Sequence, residues 1–443
     1  MPSYFAADAL LPAGWARDVK IDVDAAGDIT AVTPGPRTGE VERLAGPVLP
    51  GVPNLHSHAF QRAMAGLAEV SGATDDDFWS WRELMYRFAA RLAPAQARAI
   101  AMHLYVDMLK HGYTAVGEFH YLHNGGADML AHVLEAARAS GIAITLLPVV
   151  YRWSGFGCKA LLPGQQRFQA SPAFVLDLLE TFRPQLGPDV RGGAAPHSLR
   201  AVDPGSLREL LAGLPHDAPV HVHAAEQTKE VQDSLAALGR RPVEWLLENA
   251  NVNARWCVVH ATHMTPQETR SLAASGATAG LCPTTEANLG DGLFPLPTYR
   301  DAGGRWGIGS DSHVSRDPVE ELRLLEYGQR LAHRRRNVVS GGAFTAVGTT
   351  LWLEAAQAGR ALGRPMGAIA PGHRADLVIL DDTRPDLANR SGDAIANGLI
   401  FSGASGLVRD VMVGGRWVLR DGRHPQEDAA AAGYRQAMAE LLA

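Results

Sequence analysis

Two histidines one residue apart, His56 and His58, follow the apolar run Val48-Leu49-Pro50-Gly51-Val52-Pro53-Asn54-Leu55. In an extended segment, residues i and i+2 project to the same side. An extended His-x-His therefore aims two imidazoles at one point, as a metal centre requires. The same pair could also mark a strand end carrying two unrelated histidines. The readings separate on whether the chain supplies further ligands, an acid–base group and a pocket.

Further candidates are spread along the chain. His223 stands in His221-Val222-His223-Ala224-Ala225-Glu226, and Asp311 in Gly309-Ser310-Asp311-Ser312-His313. His56, His58, His223 and Asp311 make a nitrogen-and-carboxylate set suited to Zn²⁺, with Fe²⁺ also accommodated. Such a set leaves a position for water, which a metal makes nucleophilic near neutral pH. Glu226, just beyond His223, is placed to move protons without being a ligand. His260 can orient the water, and Asp311 can both reach the metal and take a proton. His221 reads as a structural histidine one layer deeper. His120, His123, His263 and His313 read as pocket or surface histidines.

Elements that hold these residues apart in sequence must bring them together in space. Apolar strand candidates are Tyr113 to Glu118, Ile142 to Val150, Val190 to Pro196, Val220 to His223, Trp256 to His260, Ala277 to Cys282 and Trp306 to Ser310. With the segment ending at His56 they make eight, and helical stretches lie between them. Ser171-Pro172 and Asp203-Pro204 put a capping residue before a first-turn proline. Thr265-Pro266-Gln267-Glu268 reads as a capping box. Gly141 and Gly276 stand where helices should end. Eight such units predict a (β/α)8 barrel, an α/β fold whose chemistry sits at the C-terminal ends of its strands. His56/His58, His223, His260 and Asp311 all fall at such ends. Residues 49–366 form this barrel in the prediction. Residues 1–48 and 367–443 supply a small β-sandwich domain built from both chain ends. Its signals are Val19 to Val23, Ile29 to Val32, Ala375 to Leu380 and a hairpin turning at Gly414-Gly415.

Composition narrows the class. The chain has 443 residues, 46% hydrophobic and 20% charged, with a net charge of −6. That fits a globular enzyme and argues against nucleic-acid or acidic-membrane partners. Arg334-Arg335-Arg336, the one dense basic run, reads as a solvated helical face. Cys158, Cys257 and Cys282 are too far apart for a disulfide framework or a zinc knuckle, which suits a reducing cytoplasm. No secretory signal or membrane-length apolar run is evident, a span needing about 20 residues.

The spacing of the ligand set resembles the amidohydrolase superfamily, as does the stretch Met366 to Val378. Binuclear members carry a carboxylated lysine on strand four. The corresponding segment here, Gly192 to Ser198, has no lysine. The His-x-x-Glu of strand five is similar instead to the mononuclear branch, rich in deaminases. The loops speak to the substrate. Arg200 follows strand four, Arg82 lies in Phe78-Trp79-Ser80-Trp81-Arg82, Gln61 follows the His-x-His, and Tyr121 follows strand two. Guanidinium forks suit carboxylates. If these groups converge, the pocket would hold an acyclic dicarboxylate.

The stretches Leu55 to Arg62, Trp79 to Arg82 and Pro196 to Arg200 resemble the formimidoylglutamate deiminase family. That resemblance implies hydrolysis of N-formimino-L-glutamate to N-formyl-L-glutamate and ammonia, within histidine degradation. It implies carboxylate binding by Arg82 and Arg200, with Gln61 and Tyr121 assisting and His197 near the substrate. It also implies one zinc per subunit and a homodimer. Competing readings are a deaminase or chlorohydrolase of aromatic heterocycles, a ring-opening amidohydrolase such as imidazolonepropionase, and a non-catalytic barrel. The paired arginines disfavour the first. The second would not need the Arg82 loop, and the third should have lost its ligands.

Overall fold

The computed structural model describes residues 2–37, 39–70, 78–123, 126–403 and 406–443, with backbone alone at 78–80. The side chains of Trp79 and Ser80 therefore lie outside the described residues. Barrel strands one to three are Val52–Ser57, Tyr113–His120 and Ala143–Val150. Strand four comes in two pieces, Val190–Gly192 and Ala195–Pro196. Strands five to eight are Val220–Ala224, Trp256–His260, Thr278–Leu281 and Arg305–Ile308. All are parallel to their neighbours. The second and third are buried along their whole length, which is why the third reads as a near-continuous apolar run rather than an alternating one.

Strands one to four and five to eight form two parallel sheets joined at both seams. At one seam Ala194 pairs with Val220. At the other, Ser57 pairs with Asp311. There the amides of Ser310 and Asp311 donate to the His56 carbonyl at 3.1 and 2.9 Å, and the His58 amide donates to the Asp311 carbonyl at 3.1 Å. Gly309 makes this approach possible. A Cβ built on it would lie 2.8 Å from both the Cβ and the amide nitrogen of His56.

The helix-start signals act as their chemistry requires. Ser171 accepts from the Phe174 amide at 3.1 Å, and Asp203 from Gly205 and Ser206 at 3.0 Å each. Thr265 and Glu268 form a reciprocal capping box, with bonds of 2.8 and 3.1 Å. Gly141 and Gly276 close their helices in the left-handed region, at φ 80° and 79°. Arg334 to Arg336 are exposed, just past the end of the helix Pro318–His333 rather than on its face.

Both chain ends meet in one eight-stranded sheet. Its main order is Arg416–Leu419, Val408–Val413, Leu377–Leu380, Val48–Pro50, Ser3–Leu11, Gly14–Val23 and Ile29–Pro34. Glu42–Arg43 pairs alongside Ser3–Leu11. Gly414 and Gly415 turn the hairpin at φ 51° and 74°, both positive as a two-residue turn of this type demands. Strand Leu377–Leu380 welds the sheet to the barrel. Leu377 and Ile379 pack into a separate core with Val19, Ile21 and Met412, while Val378 and Leu380 join the barrel core. The last helix, Glu427–Leu442, leaves the sheet and lies along the helix Pro94–His111, bonded through Lys110–Glu427 and Gln96–Glu440 at 2.9 Å each. Among the described residues, no helix is long and apolar enough to cross a membrane.

Because Gly309 lies against His56, Gly309→Ala should disturb barrel closure and the ligand set together. Urea unfolding should show a loss of about 1–3 kcal/mol, the usual cost of overpacking. Metal content should fall with it, and unchanged values for both would contradict this role for the seam.

Candidate active site

The strand ends converge as predicted for His56, His58, His223 and Asp311, whose ligand atoms lie within 4.8 Å of one another. His56 Nε2 is 3.1 Å from His58 Nε2, 2.9 Å from His223 Nε2 and 3.5 Å from Asp311 Oδ1. His58 Nε2 is 3.2 Å from the same oxygen. The other ring nitrogens of two of these histidines are committed. His58 Nδ1 donates to the Phe119 carbonyl at 2.8 Å, and His223 Nδ1 to the His197 carbonyl at 3.0 Å. Each therefore turns an Nε2 lone pair inward. Burial holds all three imidazoles below their usual basicity, and His58 further lowers that of His56. One His56 N–H cannot satisfy two facing lone pairs and a carboxylate. A divalent cation of borderline softness would satisfy all of them, so this donor set fits a mononuclear centre.

Beside it stand Glu226 and His260. His260 Nε2 is 3.7 Å from both Glu226 Oε1 and Asp311 Oδ2, so it bridges the two. Its Nδ1 faces Glu286 Oε1 at 3.3 Å. Burial pushes the Glu226 carboxyl up to about 7, against the opposing pull of His260. The backbone bends sharply here. Ala225, His260, Ala261, Asp311 and His313 all have positive φ, between 45° and 65°. Non-glycine residues rarely adopt this region, and such strain clusters where a site must aim its side chains.

The expected substrate residues line the same cavity as the ligands. Gln61, Arg82, Tyr121, His197 and Arg200 share it with His58, His223, Glu226 and Asp311, and Trp81, Met85 and Leu289 complete its wall. Gln61, on a short 3-10 helix over Ala59–Met64, donates its amide to the Tyr121 hydroxyl. Arg82, on the helix Phe78–Arg91, is 9% exposed and Arg200 7% exposed. Two buried guanidiniums thus share one cavity with the carboxyl groups of Glu226 and Asp311. The His197 imidazole is held well below its usual basicity by burial and then by Arg200 and Arg82.

Several groups missed in the sequence brace these residues. Arg82 donates to the Tyr151 hydroxyl at 3.0 Å and sits over the Tyr86 ring. Glu118, buried on strand two, accepts from Ser57 Oγ at 2.5 Å, the Ala59 amide at 2.9 Å and the Tyr105 hydroxyl at 3.0 Å. It thereby grips the chain on both sides of His58. Glu286 holds His260, and Asp291 lies near Glu226 and His260. Cys282 approaches His260 and Asp311. The other histidines singled out in the sequence act as braces, four of them buried and His263 half-buried. His221 bonds the Ala361 carbonyl at 2.7 Å, His120 that of Leu122 at 3.0 Å, and His123 that of Val149 at 3.0 Å. His263 bonds the Asp291 carbonyl at 2.7 Å, and His313 lies 2.9 Å from Ser57 Oγ.

Comparison with known proteins agrees with this geometry. A model described as "Amidohydrolase family" matches residues 48–418. One described as "Formimidoylglutamate deiminase HutF, N-terminal domain" matches residues 1–45. A formimidoylglutamate deiminase of Pseudomonas aeruginosa is 52% identical, with 100% of each chain covered. A 5-methylthioadenosine/S-adenosylhomocysteine deaminase of Halobacterium salinarum is 28% identical over 91% of this chain and 88% of its own. Among solved structures, an amidohydrolase from Brucella melitensis superposes with TM-score 0.94 at 46% identity, covering 100% of both chains. An adenosine deaminase from Xanthomonas campestris with bound zinc shares the fold, with TM-score 0.81 at 24% identity over 99% and 98% of the two chains. Full-length likeness, the matching terminal domain and the convergent strand ends lead to one placement: this chain belongs to the amidohydrolase family, within its formimidoylglutamate deiminase branch.

Proposed function

We propose that the chain hydrolyses N-formimino-L-glutamate to N-formyl-L-glutamate and ammonia. The observation that carries this reading is one cavity lined both by His58, His223, Asp311 and Glu226 and by two buried guanidiniums, Arg82 and Arg200. A formimino group offers an amidine carbon for attack by water, and the glutamate portion offers two carboxylates. A flat, neutral heterocycle offers no carboxylate to the two arginines. The 52% identical relative bears the name of this activity.

His56, His58, His223 and Asp311 would hold the metal, for which zinc is the first choice and iron(II) the second. When bound, such a cation supplies Lewis-acid activation of water. Arg82 and Arg200 bind the carboxylates, and Gln61, Tyr121 and His197 orient the amidine. Asp311 and His260 orient the attacking water. Glu226 takes a proton from that water and passes it to the nitrogen that leaves. Burial favours this relay, because a carboxyl near pKa 7 can both accept and release a proton at neutral pH. The reading extends to a cytoplasmic homodimer working in histidine degradation, supported by family likeness alone.

Arg200→Ala and Arg82→Ala should each raise KM for N-formimino-L-glutamate roughly 10- to 100-fold, since a charge-assisted hydrogen bond contributes about 1.5–3 kcal/mol. Metal content should stay unchanged. Wild-type KM in both variants would remove the carboxylate argument. Glu226→Gln should retain metal and lose at least about 100-fold in kcat, the lower end of the usual general acid–base contribution. Near-normal turnover in that variant would remove its proton role.

A further inference from the structure

One buried carboxylate has no part in the reaction above. Asp291 follows the helix Pro283–Leu289, in Asn288-Leu289-Gly290-Asp291-Gly292, and is 3% exposed. Its backbone is held at both polar groups. The amide donates to the Glu286 carbonyl at 2.8 Å, and the carbonyl accepts from His263 Nε2 at 2.7 Å. Its Oδ1 accepts from the Gln227 amide, while Oδ2 has no hydrogen-bond partner among the described residues. An Asp291 oxygen, a Glu226 oxygen and a His260 ring nitrogen all lie within 4.8 Å of one another.

Two carboxylates this close and this dry do not both ionise; one proton on the pair is the favourable state. Gln227 marks Oδ1 as an acceptor, so Oδ2 is the oxygen that can carry the proton. The charged or titratable groups facing the pair are His260, Asp311, Glu286, Glu230 and Arg200. Resting on the deiminase reading, we propose that Asp291 is a positioning residue that stays protonated and donates a hydrogen bond from Oδ2 to the Glu226 carboxylate. Burial and then Glu226 push the Asp291 carboxyl up, while Glu226 alone of the two has His260 Nε2 facing it at 3.7 Å among the ion pairs formed, a neighbour that favours its charge.

The arrangement fixes Glu226 as the ionised partner at the start of turnover. A C–O bond forms as the water O–H bond breaks, and the proton moves to Glu226. Glu226 then protonates the terminal nitrogen of the former amidinium. The C–N bond breaks with its electron pair on nitrogen, and the remaining hydroxyl proton leaves with the ammonia as ammonium. Asp291 keeps its own proton throughout, so amidinium and water balance formamide and ammonium.

The test compares metal-loaded wild type, Asp291→Asn and Asp291→Ala by ammonia release from N-formimino-L-glutamate, with metal analysis and thermal melting of each. An asparagine amide is neutral and donates, as a protonated aspartic acid does. Asp291→Asn should keep kcat within roughly 3-fold of wild type. Asp291→Ala should lose roughly 100-fold in kcat, the scale of a disturbed general acid–base, with KM and metal content near wild type. Two results overturn the proposal: Asn as damaged as Ala, which would mean that a negative charge is needed, or Ala as active as wild type. Because the Asn variant tests the same point, poor folding of the Ala variant does not rescue it. Failure of the wild type on this substrate would instead overturn the assigned function, and with it the proposal that rests on it.

Discussion

The amides of Ser310 and Asp311 donate to the His56 carbonyl, and the His58 amide donates to the Asp311 carbonyl. These bonds close the barrel between its eighth and first strands. They also set the distance between Asp311 and the two histidines, so closure and ligand geometry are one constraint. Asn54 reinforces it, donating to Ser310 Oγ at 2.8 Å while accepting from the His56 and Ser310 amides. A rigid parallel barrel is the kind of scaffold that can hold side chains to the tolerance a metal centre needs. The positive φ values at Asp311 and His260 are the local cost, carried by a large surrounding core.

Charge explains the division of labour around that seam. The carboxylates of Asp311, Glu226, Glu286 and Asp291 gather on the side of strands five to eight. Arg82 and Arg200 face the cavity from the helix Phe78–Arg91 and the turn after strand four. A substrate cationic at its amidine and anionic at its carboxylates would match both regions in a single orientation. Electrostatic matching of this kind gives selectivity more readily than tightness. It also fits the difference in likeness, 28% identity to a deaminase of nucleoside-type compounds against 52% to a formimidoylglutamate deiminase.

The ligand set was legible because it depends on residue type and on strand periodicity. His56 and His58 declare themselves by i, i+2 spacing, and Asp311 by ending an apolar strand. The arginines were legible because a cation at the mouth of a barrel needs an explanation. The bracing groups were not, since each acts across a long sequence gap. Glu118 reads as a stray acid in Thr114-Ala115-Val116-Gly117-Glu118-Phe119 until Ser57 and Tyr105 surround it. Asp291 reads as a turn residue between two glycines until Glu226 is brought beside it. In the fold, strand Ser3–Leu11 carries no clean alternation because its neighbours bury parts of both faces. The final helix gave no sign of its partner, which the contact with Pro94–His111 alone supplies.

The central claim is that one cavity couples amidine hydrolysis to carboxylate recognition. Its most direct test is ammonia release by metal-analysed enzyme from N-formimino-L-glutamate, measured beside N-formimino-L-aspartate, guanine, cytosine and an amino-triazine. The account predicts kcat/KM highest for the glutamate compound, lower for its shorter homologue, and no release from the heterocycles. Turnover of a heterocycle with none of N-formimino-L-glutamate would contradict it.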